Sequence, residues 1–133
     1  MVNYLLAGGL GGILLAVMDG LLNANPAAIK LLAAFKPIAR PSLSVAAGIL
    51  IDLAFGFSLA ALFTALRPAF PTSSGLLNGL IFGAGVWLLR TVMPLASQQV
   101  MFAIPLSAAA YQAGCGLLEM LVLGILFGLV LAA

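Results

Sequence analysis

Four ionisable residues interrupt the long apolar stretches of this chain: Asp19, Asp52, Arg90 and Glu119. A charged side chain is costly in the hydrocarbon region of a membrane, so such residues usually face the protein interior and mark ion, proton or solute pathways. The three acidic residues of this set are all the acidic residues that the chain contains. These four positions are therefore the first candidates for a functional role.

The spacing of the four residues predicts two pairs. Asp19 and Arg90 each lie near the small-residue face of a predicted helix, well beyond its midpoint, so a carboxylate–guanidinium clamp is expected. The alternative places Asp19 at the headgroup border. Asp52 and Glu119 fall about halfway along their helices, with no obvious basic residue left to neutralise them. Such carboxyl groups either bind protons as a proton-sensitive pair or are hydrogen-bonded in place and only hold helices together.

Polar residues near these charges extend the candidate site. Gln112 and Cys115 precede Glu119 by seven and four residues, which places them on the same helical face. Asn78, near the start of the predicted third span, offers further amide hydrogen bonds. The sequence therefore predicts a transport or ligand-binding site made of Asp52, Glu119, Asp19, Arg90, Gln112 and Asn78.

The composition indicates the elements that must position this site. The chain has 133 residues, of which 65% are hydrophobic and 6% charged, with a mean hydropathy of +1.30. Soluble domains average about 25% charged residues, and a membrane span needs about 20 apolar residues. We therefore predict an all-α membrane protein with four transmembrane helices in a compact bundle, forming one integral membrane domain over residues 1–133. The predicted spans cover residues 4–22, 42–66, 75–92 and 106–130.

A short interfacial helix is predicted between the first two spans, over residues 26–36. Asn25 is its expected N-cap and Pro26 its first residue, while Lys30 and Lys36 reach toward the headgroups. Pro94 should end or kink the third span, because proline cannot continue the helical hydrogen-bond ladder. The segment after it, up to residue 105, is compatible with a loop, an interfacial turn or a re-entrant segment.

Small residues recur at every fourth position in the predicted spans, which predicts helices that approach one another closely. The stripe of the second span contains Asp52, so its carboxyl group is expected to face a neighbouring helix and not lipid. When the two halves of the chain are aligned with each other, glycines and charged residues match at offsets of 71 and 67 residues. These matches suggest two similar, parallel hairpins, although apolar sequence also produces such matches by chance. The stripes are Gly8, Gly12, Ala16 and Gly20; Ser44, Gly48, Asp52, Gly56, Ala60 and Thr64; Gly75, Gly79 and Gly83; and Gly116, Gly124 and Gly128.

Basic residues near the span ends predict the orientation. Lys30, Lys36 and Arg40 flank the first connection and Arg90 lies toward the third, whereas Arg67 alone marks the second. The positive-inside rule then places the first and third connections in the cytoplasm and both termini outside, in a bacterial plasma (inner) membrane. The N-terminal segment lacks the basic start of a signal peptide, so its apolar run is expected to remain as a span.

Several function classes are excluded by what the chain lacks. It has no histidine and one cysteine, which excludes an internal disulfide and leaves no basis for haem ligation or the usual zinc sites. Phosphate-binding loops, nucleophile–base motifs and basic nucleic-acid patches are missing from the sequence. We therefore expect no enzyme activity, no cofactor, no metal and no nucleic-acid partner.

The sequence is compatible with three functions, in decreasing order of preference. The first is a transporter or channel for a proton, an ion or a small solute, acting through the intramembrane carboxylates. Four spans enclose little volume, so a homo-oligomer in the lipid bilayer is expected for this function. The second is a non-catalytic accessory or assembly subunit that docks on a membrane-protein partner through glycine grooves. The third and least favoured is an intramembrane enzyme or lipid-binding protein.

Overall fold

Four long apolar helices and one short helix dominate the computed structural model, which describes residues 1–39, 42 and 44–131. The chain is 88% helical, and the described part contains no strand. The four long helices have a mean hydropathy of 1.5 to 2.3 and are long enough to cross a membrane. The predicted helical class and its four candidate spans are thus confirmed. The helices are α1 (Val2–Ala24), α2 (Pro26–Leu31), α3 (Val45–Leu66), α4 (Gly75–Met101) and α5 (Leu106–Leu131).

The connection between α1 and α3 contains the predicted N-cap, but it forms two short helical segments and not one helix. The side-chain oxygen of Asn25 accepts a hydrogen bond from the Ala28 N–H at 2.9 Å, and proline is the first helical residue, as expected. The helix predicted over residues 26–36 is replaced by α2 followed by a 3₁₀ turn over Ala33–Ile38. Arg40, one of the basic residues used for orientation, lies outside the described residues.

Helix α3 begins three residues later than the predicted start at residue 42. Its N-cap is Ser44, whose hydroxyl oxygen accepts a hydrogen bond from the Ala47 N–H at 3.2 Å. A serine in this position satisfies a backbone donor that has no partner inside the helix. The position of Asp52 is therefore fixed about two helical turns after the start of α3.

Helix α4 continues through Pro94, so the prediction that the third span ends at residue 92 is wrong. Pro94 has no N–H for the carbonyl of Arg90, four residues earlier, and its ring crowds that carbonyl. The chain responds with a π-helical turn over Leu88–Val92, in which the Met93 N–H bonds to the Leu88 carbonyl, five residues back. Regular α-helix resumes up to Met101. Arg90 consequently lies near the middle of α4 and not near its end.

The long helices pack as two antiparallel pairs, α1 with α3 and α4 with α5, and α1 also packs on α5. Glycines allow the backbones to touch within each pair. A Cβ atom on Gly56 would collide with the backbone of Gly8 and Gly12, and one on Gly124 would collide with the Gly79 carbonyl. The two pairs match the predicted hairpins, while their origin by duplication stays a prediction.

The two ends of the bundle differ in packing. At the end of the bundle that carries the α3–α4 connection, three phenylalanine rings form a buried aromatic cluster with centroids 5.2 to 6.2 Å apart. They belong to Phe63, Phe82 and Phe127. At the α2 end, an added Cβ on Gly20 or Gly48 would meet nothing within 4 Å. The predicted close packing is therefore wrong for these two glycines, because α1 and α3 separate there. This separation makes room for the candidate site.

Candidate functional site

The four charged residues of the long apolar helices meet at one place on the α2 side of the bundle. Arg90 Nη1 lies 3.6 Å from Glu119 Oε2, and Arg90 Cζ lies 4.4 Å from the centroid of the Phe55 ring. The Asp19 carboxyl lies close enough to the carboxyls of Asp52 and Glu119 for their charges to interact. We call Asp19, Asp52, Arg90 and Glu119 the charge cluster.

The partners within the charge cluster differ from those that the sequence predicts. Arg90 pairs with Glu119 and not with Asp19. Asp19 instead lies beside Asp52 and Glu119, the two carboxyl groups that were expected to pair with each other. The reason is the length of α4. Arg90 lies 11 residues before the end of α4 and Glu119 lies 13 residues after the start of α5, which corresponds to roughly 16 and 20 Å of helix. The expectation that Glu119 has no basic partner is therefore wrong.

The charge cluster has an excess of negative charge. With every group ionised, three carboxylates face one guanidinium, which leaves a net charge of −2. Glu119 is only 5% exposed, whereas the Arg90 side chain is 32% exposed. Neighbouring carboxylates repel each other, and the repulsion is relieved when one of them binds a proton or when a cation lies between them. The arrangement is chemically able to hold and exchange protons or a small cation.

A polar cavity of about 280 Å³ opens from the charge cluster between α1, α4 and α5. Asp19, Arg90 and Glu119 line its deep part, while Gln98 and Gln112 lie closer to the helix ends. The Oε1 atoms of both glutamines are buried and have no hydrogen-bond partner. The structure thus brings Gln112 to the site, as the sequence predicts, and adds Gln98. Gln98 was not predicted as a site residue, because the third span was expected to end at residue 92.

A second cavity, of about 580 Å³, lies between the separated ends of α1 and α3. Asp52, Gly20 and Gly48 line it together with mostly apolar side chains. Asp19 lines both cavities. Its carboxyl group therefore stands between the polar cavity on the α5 side and the more apolar cavity on the α3 side.

Hydrogen bonds tie the helices together around the mouth of the polar cavity. Asn25 Nδ2 donates to the Tyr111 hydroxyl at 2.9 Å, and that hydroxyl donates to the Leu22 carbonyl. This contact fixes the end of α1 to α5. Deeper in the bundle, the Trp87 indole N–H donates to the Ala113 carbonyl at 2.8 Å and fixes α4 to α5. The first contact involves the cavity wall, because Tyr111 lines the polar cavity.

Asn78 is the one predicted site residue that the structure does not bring to the charge cluster. It lies near the start of α4, at the opposite end of the bundle, and is 8% exposed. Its Nδ2 donates to the Thr72 carbonyl at 2.9 Å and its Oδ1 accepts from the Thr72 hydroxyl at 2.7 Å. Its amide holds the loop between α3 and α4.

Within residues 1–39, 42 and 44–131, no three His, Cys, Asp or Glu side chains are arranged to hold a metal ion. Comparison of the chain with protein-family models, curated proteins and solved structures finds no match. The fold and the site together define a helical protein with four membrane-length helices and a polar charge cluster between them. A functional proposal must therefore rest on that cluster.

Proposed function

We propose that this protein is a small membrane transporter that carries protons through the charge cluster, alone or together with a small solute. The observation that carries this proposal is the meeting of Asp19, Asp52 and Glu119 around Arg90 on four helices of membrane length. Carboxyl groups that share protons beside a polar cavity supply the two things that proton-coupled transport needs, a protonation site and a solute site.

A purely structural role accounts for this arrangement less well. Replacing a buried ion pair by well-packed apolar residues is often neutral or stabilising, because the desolvation of two charges offsets much of their attraction. The charge cluster contains two carboxyl groups beyond the single ion pair, which adds desolvation without adding a counter-charge. Glycine contacts such as those of Gly56 and Gly124 already hold the helix pairs together. The extra carboxyls are therefore better explained by proton exchange.

The difference between the two ends of the bundle supports a specific side of the membrane from which a solute reaches the polar cavity. The polar cavity is lined by residues near the α2 end, such as Asn23 and Gln98, whereas aromatic rings fill the opposite end. In the proposed orientation, Lys30 and Lys36 place the α2 end in the cytoplasm of a bacterial inner membrane. The described conformation then corresponds to the inward-facing state of the transporter. We propose that the protein acts as a homo-oligomer, because four helices alone enclose a narrow path.

Proton flux into liposomes tests this function. The purified protein is reconstituted with a pH-sensitive dye inside the vesicles, and a pH step is applied. We expect the wild type to dissipate the gradient and Glu119→Gln to lose most of this flux, because glutamine keeps the shape but cannot carry the proton. Lys36→Gln, at an exposed position outside the charge cluster, is the matched control and should retain the flux.

Two results would contradict the proposal. One is a flux in Glu119→Gln equal to that of the wild type, with both proteins folded and monodisperse. The other is a wild type that dissipates no gradient, which would favour the accessory-subunit function instead. Copurification of a stable membrane-protein partner from native membranes would then be the expected finding.

A further inference from the structure

The polar cavity contains acceptor atoms that have no hydrogen-bond partner, beside an excess of acidic groups. The Oε1 atoms of Gln98 and Gln112 are buried without a partner, and the carboxyl groups of Asp19 and Glu119 add further acceptor atoms. Buried polar atoms in proteins are nearly always hydrogen-bonded, so two unpartnered acceptors lining one cavity point to a ligand that supplies donors.

Two prominent donors of the same cavity already have partners. The Arg90 guanidinium is paired with Glu119 and lies over an aromatic ring, and the Tyr111 hydroxyl donates to the Leu22 carbonyl. An anionic solute would have to compete with Glu119 for the guanidinium. A cationic solute would instead reduce the negative charge of the cluster.

We infer that the solute bound in this cavity is a small organic cation with several N–H donors, of the primary ammonium or guanidinium class. This inference rests on the proposed transport function and names its solute. Glu119 and Asp19 balance the positive charge, while Gln98 and Gln112 accept the N–H groups. The volume of about 280 Å³ lies at the lower edge of the range of roughly 300 to 1,000 Å³ for small-molecule sites, which fits a compact amine.

The single cysteine of the chain provides a direct test. Cys115 lines the same cavity, four residues before Glu119, so a bound solute should shield its thiol. The rate at which N-ethylmaleimide alkylates the purified full chain is measured with increasing ethylammonium chloride. Tetramethylammonium chloride, with the same charge but no N–H donor, and sodium chloride are the controls.

Shielding by a bound ligand slows the reaction by the factor one plus the ratio of ligand concentration to Kd, which is about tenfold at ten times Kd. We expect ethylammonium to slow alkylation in this saturable way and the two control salts to leave the rate unchanged. No slowing by ethylammonium, or equal slowing by all three salts, would overturn the inference.

Variants separate the cavity acceptors from general effects. Gln112→Leu and Gln98→Leu should each weaken the shielding by ethylammonium. Gln99→Leu is the matched control, because Gln99 is exposed, lies outside the polar cavity and donates to the Ile104 carbonyl. It should keep the wild-type shielding. Full shielding in both Gln112→Leu and Gln98→Leu, with unchanged thermal stability, would contradict the assigned acceptors.

The outcome is distinguishable from that of the transport proposal. Proton flux that depends on Glu119, without shielding of Cys115, would keep the transporter and reject an amine as its solute. Shielding of Cys115 without proton flux would keep the amine site and reject transport.

Discussion

The ion pair between Arg90 and Glu119 makes a quantitative prediction about stability. At their separation of 3.6 Å, two unit charges attract by about 4.6 kcal/mol if the effective dielectric constant is about 20. The Arg90 side chain is 32% exposed, so solvent screens part of this attraction. We therefore expect a coupling energy of about 2 to 3 kcal/mol between the two side chains in a double-mutant cycle.

The cycle uses Arg90→Met, Glu119→Met and the double variant. Arg90→Met should lower the free energy of unfolding by about 3 kcal/mol, because it leaves the carboxyl groups without a counter-charge. Glu119→Met should lower it by less, because Asp52 still interacts with Arg90. The double variant should be more stable than the sum of the single effects predicts, since both charges are removed and methionine fills the space. It should nevertheless carry no protons.

Unfolding of the detergent-solubilised protein by titration with sodium dodecyl sulfate, followed by circular dichroism, provides the free energies. Strictly additive single effects would refute the reasoning, because they would mean that the two side chains do not interact. A double variant that retains wild-type proton flux would refute the role of Glu119 as a proton carrier.

Three further predictions follow from the packing and the connections. Gly56→Val should destabilise the α1–α3 pair by about 1 to 3 kcal/mol or disrupt it, because Gly56 touches the backbone of α1. Gly48→Ala should have little effect on thermal stability, because an added Cβ at Gly48 meets no neighbouring atom within 4 Å. Cys115 should react with a membrane-impermeant thiol reagent in inside-out vesicles and not in intact spheroplasts, and reaction from the opposite side would reverse the proposed orientation. Asn25→Ala should lower the melting temperature by an amount equivalent to about 1 kcal/mol, because it removes the cap of α2 and the link to Tyr111; an unchanged melting temperature would contradict that role.

The amino-acid sequence was sufficient to predict the four long helices and the residues of the charge cluster, because both follow from local hydropathy. The partners of Arg90 were not predictable in the same way. They depend on the depth of Arg90 in the bundle, and the depth depends on whether Pro94 ends the helix or is accommodated by a π-helical turn. Local preference favours an ending, whereas in the structure the helix continues to Met101.

The glycine stripes show a similar limit. Gly48 and Gly56 occupy equivalent places in the same periodic pattern, but only Gly56 touches a neighbouring backbone. Periodicity identifies the face of a helix, whereas the distance to the next helix depends on the crossing angle of the pair. The cavity between the separated ends of α1 and α3 could therefore not be predicted from the sequence.

The most direct test of the charge cluster is a dipolar-coupling measurement by solid-state NMR in lipid bilayers. Glu119 is the only glutamate of the chain, so a ¹³C label on glutamate carboxyl carbon reports on this residue alone. With ¹⁵N-labelled arginine side chains, we expect clear dephasing of that carbon by a guanidinium nitrogen, and we expect Arg90→Lys to abolish it. Absence of dephasing in the wild-type protein would contradict the pairing on which the proposed function depends.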